Sequence, residues 1–159
     1  MGKKIVQVFY GPGKGKTSAA VGQCIRAASL GQSVIIIQFL KGKDAEEFNF
    51  LERLEPDIKL FRFEKSEESY DLLLPSQQKE EKQNILNGFN FAKKVIDTGE
   101  CDVLVLDEVL GLLDIGLIEV SDIIKLMIIQ DLCLQEEICL RNLEGMLISY
   151  QNLILRKMT

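Results

Sequence analysis

Histidine is absent from these 159 residues, and so is tryptophan. Without histidine the commonest general base is missing, so chemistry falls to carboxylates, a metal ion or the substrate's own nucleophile. Cysteine is sparse as well. Cys24, Cys101, Cys133 and Cys139 show no Cys-x-x-Cys spacing, and no histidine can complete a zinc site. Scattered cysteines without a signal peptide fit a reducing cytoplasm. No apolar run approaches the ~20 residues that cross a bilayer, so no membrane span is expected. A basic face is lacking too: the net charge of −5 argues against general nucleic-acid binding. Internal repeats and low-complexity tracts do not occur.

What remains is enough chain for one domain, which buries roughly two-thirds of its unfolded surface on folding. Apolar residues make up 47% of it and mean hydropathy is slightly positive, which argues against disorder.

The densest information lies in Gly11-Pro12-Gly13-Lys14-Gly15-Lys16-Thr17. An alternating apolar run, 5–10, precedes it, and Ser18-Ala19-Ala20-Val21 opens a helical pattern after it. Strand, glycine loop and helix start form the setting that a phosphate-binding loop requires. Glycines let backbone N–H groups turn inward, and the helix N-terminus adds positive potential where an oligophosphate would sit. Lys16 then reaches the phosphates and the Thr17 hydroxyl holds a divalent metal. The loop is short: Gly11 and Gly15 enclose three residues where the common pattern has four. A shortened loop implies phosphates held in a different register from ordinary ATPases.

Strand and helix patterns alternate from there. A helix runs from 16 to about 30, with Gly31 as its stop. Residues 34–40 form a continuous apolar run suited to a buried parallel strand. A short helix is expected over 46–54, closed by Pro56, and a strand with one wetter face over 58–63. The polar, acidic stretch 64–82 reads as a solvated loop and helix face, or alternatively as a loop covering a substrate. A helix over 77–98 ends near Gly99. Residues 112–117 are turn-like, and 120–129 are helical with Ser121 or Glu119 near the cap.

The second strong signal is Val103-Leu104-Val105-Leu106-Asp107-Glu108, an apolar strand ending in two acids. Such a strand partners a phosphate-binding loop; placed beside the first strand, it aims Asp107 and Glu108 at metal and phosphates. The expected fold is α/β: a RecA-like P-loop NTPase fold, with a mostly parallel sheet and helices on both faces.

Three stretches together resemble the bacterial phosphate-loop type of ATP:corrinoid adenosyltransferase. They are 5–20, with its short loop, 34–42, ending Gln38-Phe39-Leu40-Lys41-Gly42, and 103–126, with Leu106-Asp107-Glu108 and Asp114-Ile115-Gly116-Leu117-Ile118. The resemblance implies transfer of the 5′-deoxyadenosyl group of ATP to a cobalt(I) corrinoid, releasing triphosphate. It implies that Gly11, Pro12, Gly13, Lys14, Gly15, Lys16, Thr17 and Ser18 hold the triphosphate. Thr17 with Asp107 or Glu108 then organises Mg²⁺ or Mn²⁺, and Lys16, Thr17 and Glu108 are the catalytic candidates. Reduced cobalt is a strong enough nucleophile that no side-chain base is needed, which suits a chain without histidine. Gln38 and Lys41 face one of the two substrates or simply end a strand. Some relatives use a Phe and a Trp beside the corrinoid; here Phe63 and Tyr70 are the nearest candidates. The resemblance further implies a homodimer, a reductase supplying cobalt(I), and a cytoplasmic enzyme. A generic phosphate-loop ATPase or kinase and a non-catalytic nucleotide-binding remnant are the alternatives.

Beyond Leu134 the family pattern stops. Members continue from a strand like Asp131-Leu132-Cys133-Leu134 into Thr-Gly-Arg-Asn, but Gln135-Glu136-Glu137-Ile138 stands here. The codons ACA GGA AGA AAT, with their first base removed, read CAG GAA GAA AT, which encodes Gln-Glu-Glu-Ile. Residues 1–134 therefore read as the adenosyltransferase-like domain, and 135–159 as its divergent tail, frameshifted by a one-base deletion near the Leu134 codon. On that reading the family's last strand and helix are absent and activity is impaired. A divergent C-terminal helix is the alternative, since Leu143, Met146, Leu147, Tyr150 and Ile154 fall at helical spacing.

Overall fold

The computed structural model describes residues 6–10, 15–40, 50–127, 132–136 and 153–157. Among them six strands form one sheet: β1 (Val6–Tyr10), β2 (Val34–Gln38), β3 (Ile58–Arg62), β4 (Val103–Asp107), β5 (Leu132–Glu136) and β6 (Leu153–Lys157). All pairings are parallel, in the order β3-β2-β4-β5-β1-β6. The helices are α1 (Lys16–Ser29), α2 (Pro75–Thr98), the single turn α3 (Gly111–Asp114) and α4 (Val120–Met127).

Strand periodicity divides the interior into two cores. Val34 and Ile36 of β2 join Ile58 and Val105 on one face, against Ala20, Val21, Cys24 and Ala27 of α1. Ile35, Ile37 and Phe39 point the other way, with Leu104 and Leu106, into Ile85, Phe89, Ala92, Val95 and Ile96 of α2 and Ile123 and Leu126 of α4. Every residue of β2 is buried, as a β-branched run in a doubly covered parallel sheet requires. The α/β sheet with helices on both faces is therefore the architecture expected from the sequence.

Local signals explain the element ends. Gly31, at φ 77°, stops α1 at Ser29, and the Gln32 N–H returns to the Ala27 carbonyl at 3.1 Å. Helix α2 starts two residues before the expected 77, because Pro75 serves as its first residue and Gln77 Oε1 accepts the Leu74 N–H at 3.0 Å. Gly99, at φ 64°, ends it. At the start of α4 Glu119 stands at the cap position, one of the two residues expected there, and Asp122 three residues on accepts its N–H through Oδ2 at 3.0 Å. The segment 112–117 is partly helical, α3 running into a turn closed by Leu117 N–H and the Leu112 carbonyl at 2.9 Å. Of the helix expected over 46–54, residues 46–49 lie outside the described residues, and Glu52–Leu54 is a 3-10 turn.

Two expectations are corrected. The acidic strand β4 does not lie beside β1; β5 intervenes and pairs with both. Asp107 thus stands two strand spacings from β1, about 10 Å across the sheet. Nor is a closing strand missing: β6 runs parallel to β1, with Val6 opposite Leu153 and Tyr10 opposite Lys157. Ile154 belongs to that strand and not to a helix, because an apolar run Leu153-Ile154-Leu155 satisfies a strand as well as a helical stripe.

Candidate functional site

In an open parallel α/β sheet ligands collect beyond the carboxyl ends of the strands. Here that edge carries the start of α1, which follows β1, and the last residues of β2, β3 and β4. Those residues are in register: Gln38 sits opposite Arg62 on one side and Asp107 on the other.

Helix α1 begins with Gly15 at φ 98° and no side-chain cap, and the Ala19 N–H closes the first turn on the Gly15 carbonyl at 2.8 Å. Only glycine takes that backbone conformation cheaply, and a helix start of this form favours anions. Lys16 and Thr17 are half-buried and Ser18 is exposed. Gly11, Pro12, Gly13, Lys14 and Lys41 lie outside the described residues.

Asp107 is 2% exposed. Its Oδ2 accepts the Gln38 Nε2 at 3.0 Å, and the Gln38 Oε1 accepts the Arg62 Nε at 2.6 Å. The other carboxylate oxygen, Oδ1, is buried with no hydrogen-bond partner among the described residues. Burial, followed by the negative charge of Glu108, pushes the Asp107 carboxyl up to about 7, against the opposing pull of Gln38 and Arg62. A buried, unsatisfied oxygen is costly unless something meets it, and a divalent cation would do so. Among the described residues no three of His, Cys, Asp and Glu gather as a metal cluster. The donor set therefore suits a hard ion held by one carboxylate together with hydroxyl, water and phosphate oxygens, the usual situation of Mg²⁺. Asp107 fits it; Glu108 follows it in the chain, and Thr17 lies in the first turn of α1.

Glu108 itself is half-buried at φ 57°, and Leu40 is at φ 45°. Both β4 and its neighbour β2 thus leave the sheet through left-handed non-glycine residues, a strain of about 1–3 kcal/mol each that surrounding contacts must hold. At β2 the holding contact is Glu64 Oε1, which accepts the Leu40 N–H at 2.7 Å. Burial raises the Glu64 carboxyl, with its hydrogen bond to Leu40 opposing.

Of the residues expected to face the corrinoid, Gln38, Phe63 and Tyr70 are among the described residues and Lys41 is not. Gln38 is buried, 3% exposed, with its amide committed to Asp107 and Arg62. Phe63 packs on the core: its ring centroid lies 5.5 Å from that of Phe91, and its edge covers Gly88, where an added Cβ would sit 2.9 Å away. Tyr70 begins a 3-10 turn, Tyr70–Leu72, and lines a cavity of about 100 Å³ with Glu64, Ser66, Glu81 and Ile115. The stretch 64–82 is mostly exposed, as a solvated loop and helix face would be, with Leu73 and Glu81 its two buried residues. Glu81 is 5% exposed, accepting the Ser66 N–H and Asn84 Nδ2 at 3.0 Å each. Arg62, Glu64 and Glu81 were not singled out by sequence. The signal for Glu81 was its place on the inward stripe with Ile85, Gly88, Phe89 and Ala92.

A doubly covered parallel sheet, a glycine-started helix after its first strand and a buried aspartate at a strand's carboxyl end define the phosphate-loop class of α/β proteins. Comparison with known families is more specific. The family model of ATP:corrinoid adenosyltransferase BtuR/CobO/CobP matches residues 2–141, and the chain belongs to that family. The match runs past Leu134, into the segment expected to have left the family pattern. An uncharacterized protein of Nostoc sp. is 28% identical over 129 residues, covering 75% of this chain and 34% of that one. The corrinoid adenosyltransferase CobA of Salmonella typhimurium is 53% identical over 38 residues, covering 24% of this chain and 19% of that one. A corrinoid adenosyltransferase of Escherichia coli matches with the same figures. The chain thus spans about a third or less of the length of the curated relatives it matches. No helix among the described residues is long and apolar enough to cross a membrane.

Proposed function

We propose that this chain transfers the 5′-deoxyadenosyl group of ATP to the cobalt(I) of a reduced corrinoid and releases inorganic triphosphate, in adenosylcobalamin biosynthesis or salvage. The cobalt lone pair forms the bond to C5′, the C5′–oxygen bond breaks, and its electrons leave with the triphosphate. Cobalt(I) becomes alkylcobalt(III), so no protein base is consumed, which accords with the absence of histidine. The single observation that carries the reading is the family match over 2–141, which takes in the short glycine loop, α1 and the Asp107-Glu108 strand end together.

In this scheme the loop, Lys16, Thr17 and Ser18 bind the triphosphate and preorganise the leaving group. Asp107, with Thr17 and Glu108, holds Mg²⁺ or Mn²⁺, which supplies charge neutralisation at the phosphates when bound. The enzyme works as a homodimer in a reducing cytoplasm, with a reductase supplying the cobalt(I) substrate. The altered sequence after Leu134 lacks the family's arginine. The loss of one preorganised contact of that kind costs on the order of 10²–10³ in rate.

The deciding assay incubates the protein with ATP, Mg²⁺ and chemically reduced cobalamin and follows adenosylcobalamin and triphosphate. Lys16→Ala abolishes both products; retained activity refutes the phosphate site. Release of orthophosphate instead indicates the generic ATPase alternative, and ATP binding without consumption indicates the remnant. Sequencing the gene across the Leu134 codon tests the frameshift, which is wrong if no downstream frame encodes Thr-Gly-Arg.

A further inference from the structure

Gln38 is an anomaly in its strand. The preceding residues of β2 are Val34, Ile35, Ile36 and Ile37, all buried, and an apolar residue at position 38 would continue them. A buried amide instead needs hydrogen-bond partners on both ends, or it destabilises the sheet. Both ends are met. Arg62 can only donate, so its Nε at 2.6 Å identifies the atom it touches as the Gln38 carbonyl oxygen. The amide –NH₂ is therefore turned the other way, and its contact with Asp107 at 3.0 Å is a donated bond to Oδ2. One Asp107 oxygen is thereby occupied and the other, Oδ1, is left buried and unmatched.

We propose that Gln38 is a positioning residue, oriented by Arg62, that fixes the Asp107 carboxylate with Oδ1 reserved for the divalent cation of the bound nucleotide. The inference rests on the reading of Asp107 as a metal-holding carboxylate. Three adjacent strands end in this relay, so register alone keeps Arg62, Gln38 and Asp107 in line. Without the Gln38 bond the carboxylate turns freely, or presents two unpaired oxygens to an apolar surround. Residues that orient metal ligands in this manner typically contribute about 10- to 100-fold in metal affinity.

The test uses the full chain and compares binding of the Mn²⁺–ATP complex, by water-proton relaxation, with binding of metal-free ATP in chelator. Gln38→Met keeps the length and removes the donor. It is expected to weaken Mn²⁺–ATP about 10- to 100-fold, leave metal-free ATP unchanged, and add nothing further on an Asp107→Asn background. Equal weakening of both ligands, or none of either, overturns the inference, because a merely structural amide moves both together. If Gln38→Met does not fold, Arg62→Met decides: Arg62 is exposed, and the same selective loss, smaller in size, is expected. The binding assay needs no corrinoid. Wild type that forms no adenosylcobalamin while Gln38→Met still loses Mn²⁺–ATP sinks the transfer reading and leaves the positioning role standing. Wild type that transfers adenosyl while Gln38→Met binds Mn²⁺–ATP normally does the reverse.

Discussion

Replacing Asp107 by asparagine removes a carboxyl group that the fold holds in its neutral form far above the usual range. In the unfolded chain this group ionises near its ordinary value of 3.8, whereas in the native protein burial, reinforced by Glu108, delays ionisation to about 7. Between those values the native state holds a proton that the unfolded state has released. Stability without metal therefore falls as pH rises across the window and levels off above it. Each pH unit inside the window removes about 1.4 kcal/mol, so the full span of about three units removes about 4 kcal/mol. Asp107→Asn does not titrate, and its own oxygen can still accept from Gln38. The measurement is urea unfolding of both proteins, free of metal and nucleotide, at intervals from pH 5 to pH 8. The wild type is expected to lose about 2–3 kcal/mol relative to the variant between pH 5 and pH 7, and only a few tenths of a kcal/mol, roughly, between pH 7 and pH 8. Adding Mg²⁺ and ATP should shrink the loss, since a cation on the carboxylate favours its ionised form. A difference that stays flat from pH 5 to pH 8 refutes the assignment of a protonated, buried Asp107.

Three further changes have definite outcomes. Gly88→Ala brings a methyl group within 2.9 Å of the Phe63 ring and 3.2 Å of the Phe39 ring. Overpacking there outweighs the gain of about 1 kcal/mol in helix propensity, and a net loss of about 1 kcal/mol is expected in denaturant unfolding. Gly15→Ala forces alanine into φ 98° and is expected to cost upward of 1 kcal/mol and to weaken ATP binding at the start of α1 in a direct titration. Asp102 accepts the Ser33 N–H and hydroxyl at 2.8 and 2.9 Å, which lower its pKa. Asp102→Asn should therefore cost a small amount of stability at neutral pH. The wild-type and variant curves converge as pH falls below the ordinary carboxylate range, because the stabilisation requires an ionised group.

Much of this was legible in one dimension. The buried strand expected over 34–40, of which Val34–Gln38 pair in the sheet, the acidic strand end and the glycine-stopped helices follow from short-range patterns. Lateral strand order is another matter. Nothing in Val103-Leu104-Val105-Leu106 says whether its neighbour is β1 or β5, because both are equally apolar, and the choice depends on where the connecting helices lie. The site shows the same division. Asp107 and Glu108 are recognisable from their place at a strand end, but Gln38 acquires its role only when β2 pairs with β4, sixty-nine residues apart. Phe63 looked available beside a substrate loop until Phe91 and Gly88 of α2 claimed its ring. Glu64 and Glu81 were hidden by acidic surroundings that average to a solvated composition.

The insertion of β5 between β1 and β4 makes it a spacer whose thickness sets the distance from β1, and the start of α1 behind it, to the Asp107 carboxylate. Parallel ladders are knitted through the main chain, and Gln135 and Glu136 continue the rungs opposite Phe9 and Tyr10 without regard to their identity. A wedge built from peptide groups tolerates wholesale change of its side chains, so the gap between β1 and β4 does not depend on which residues follow Leu134.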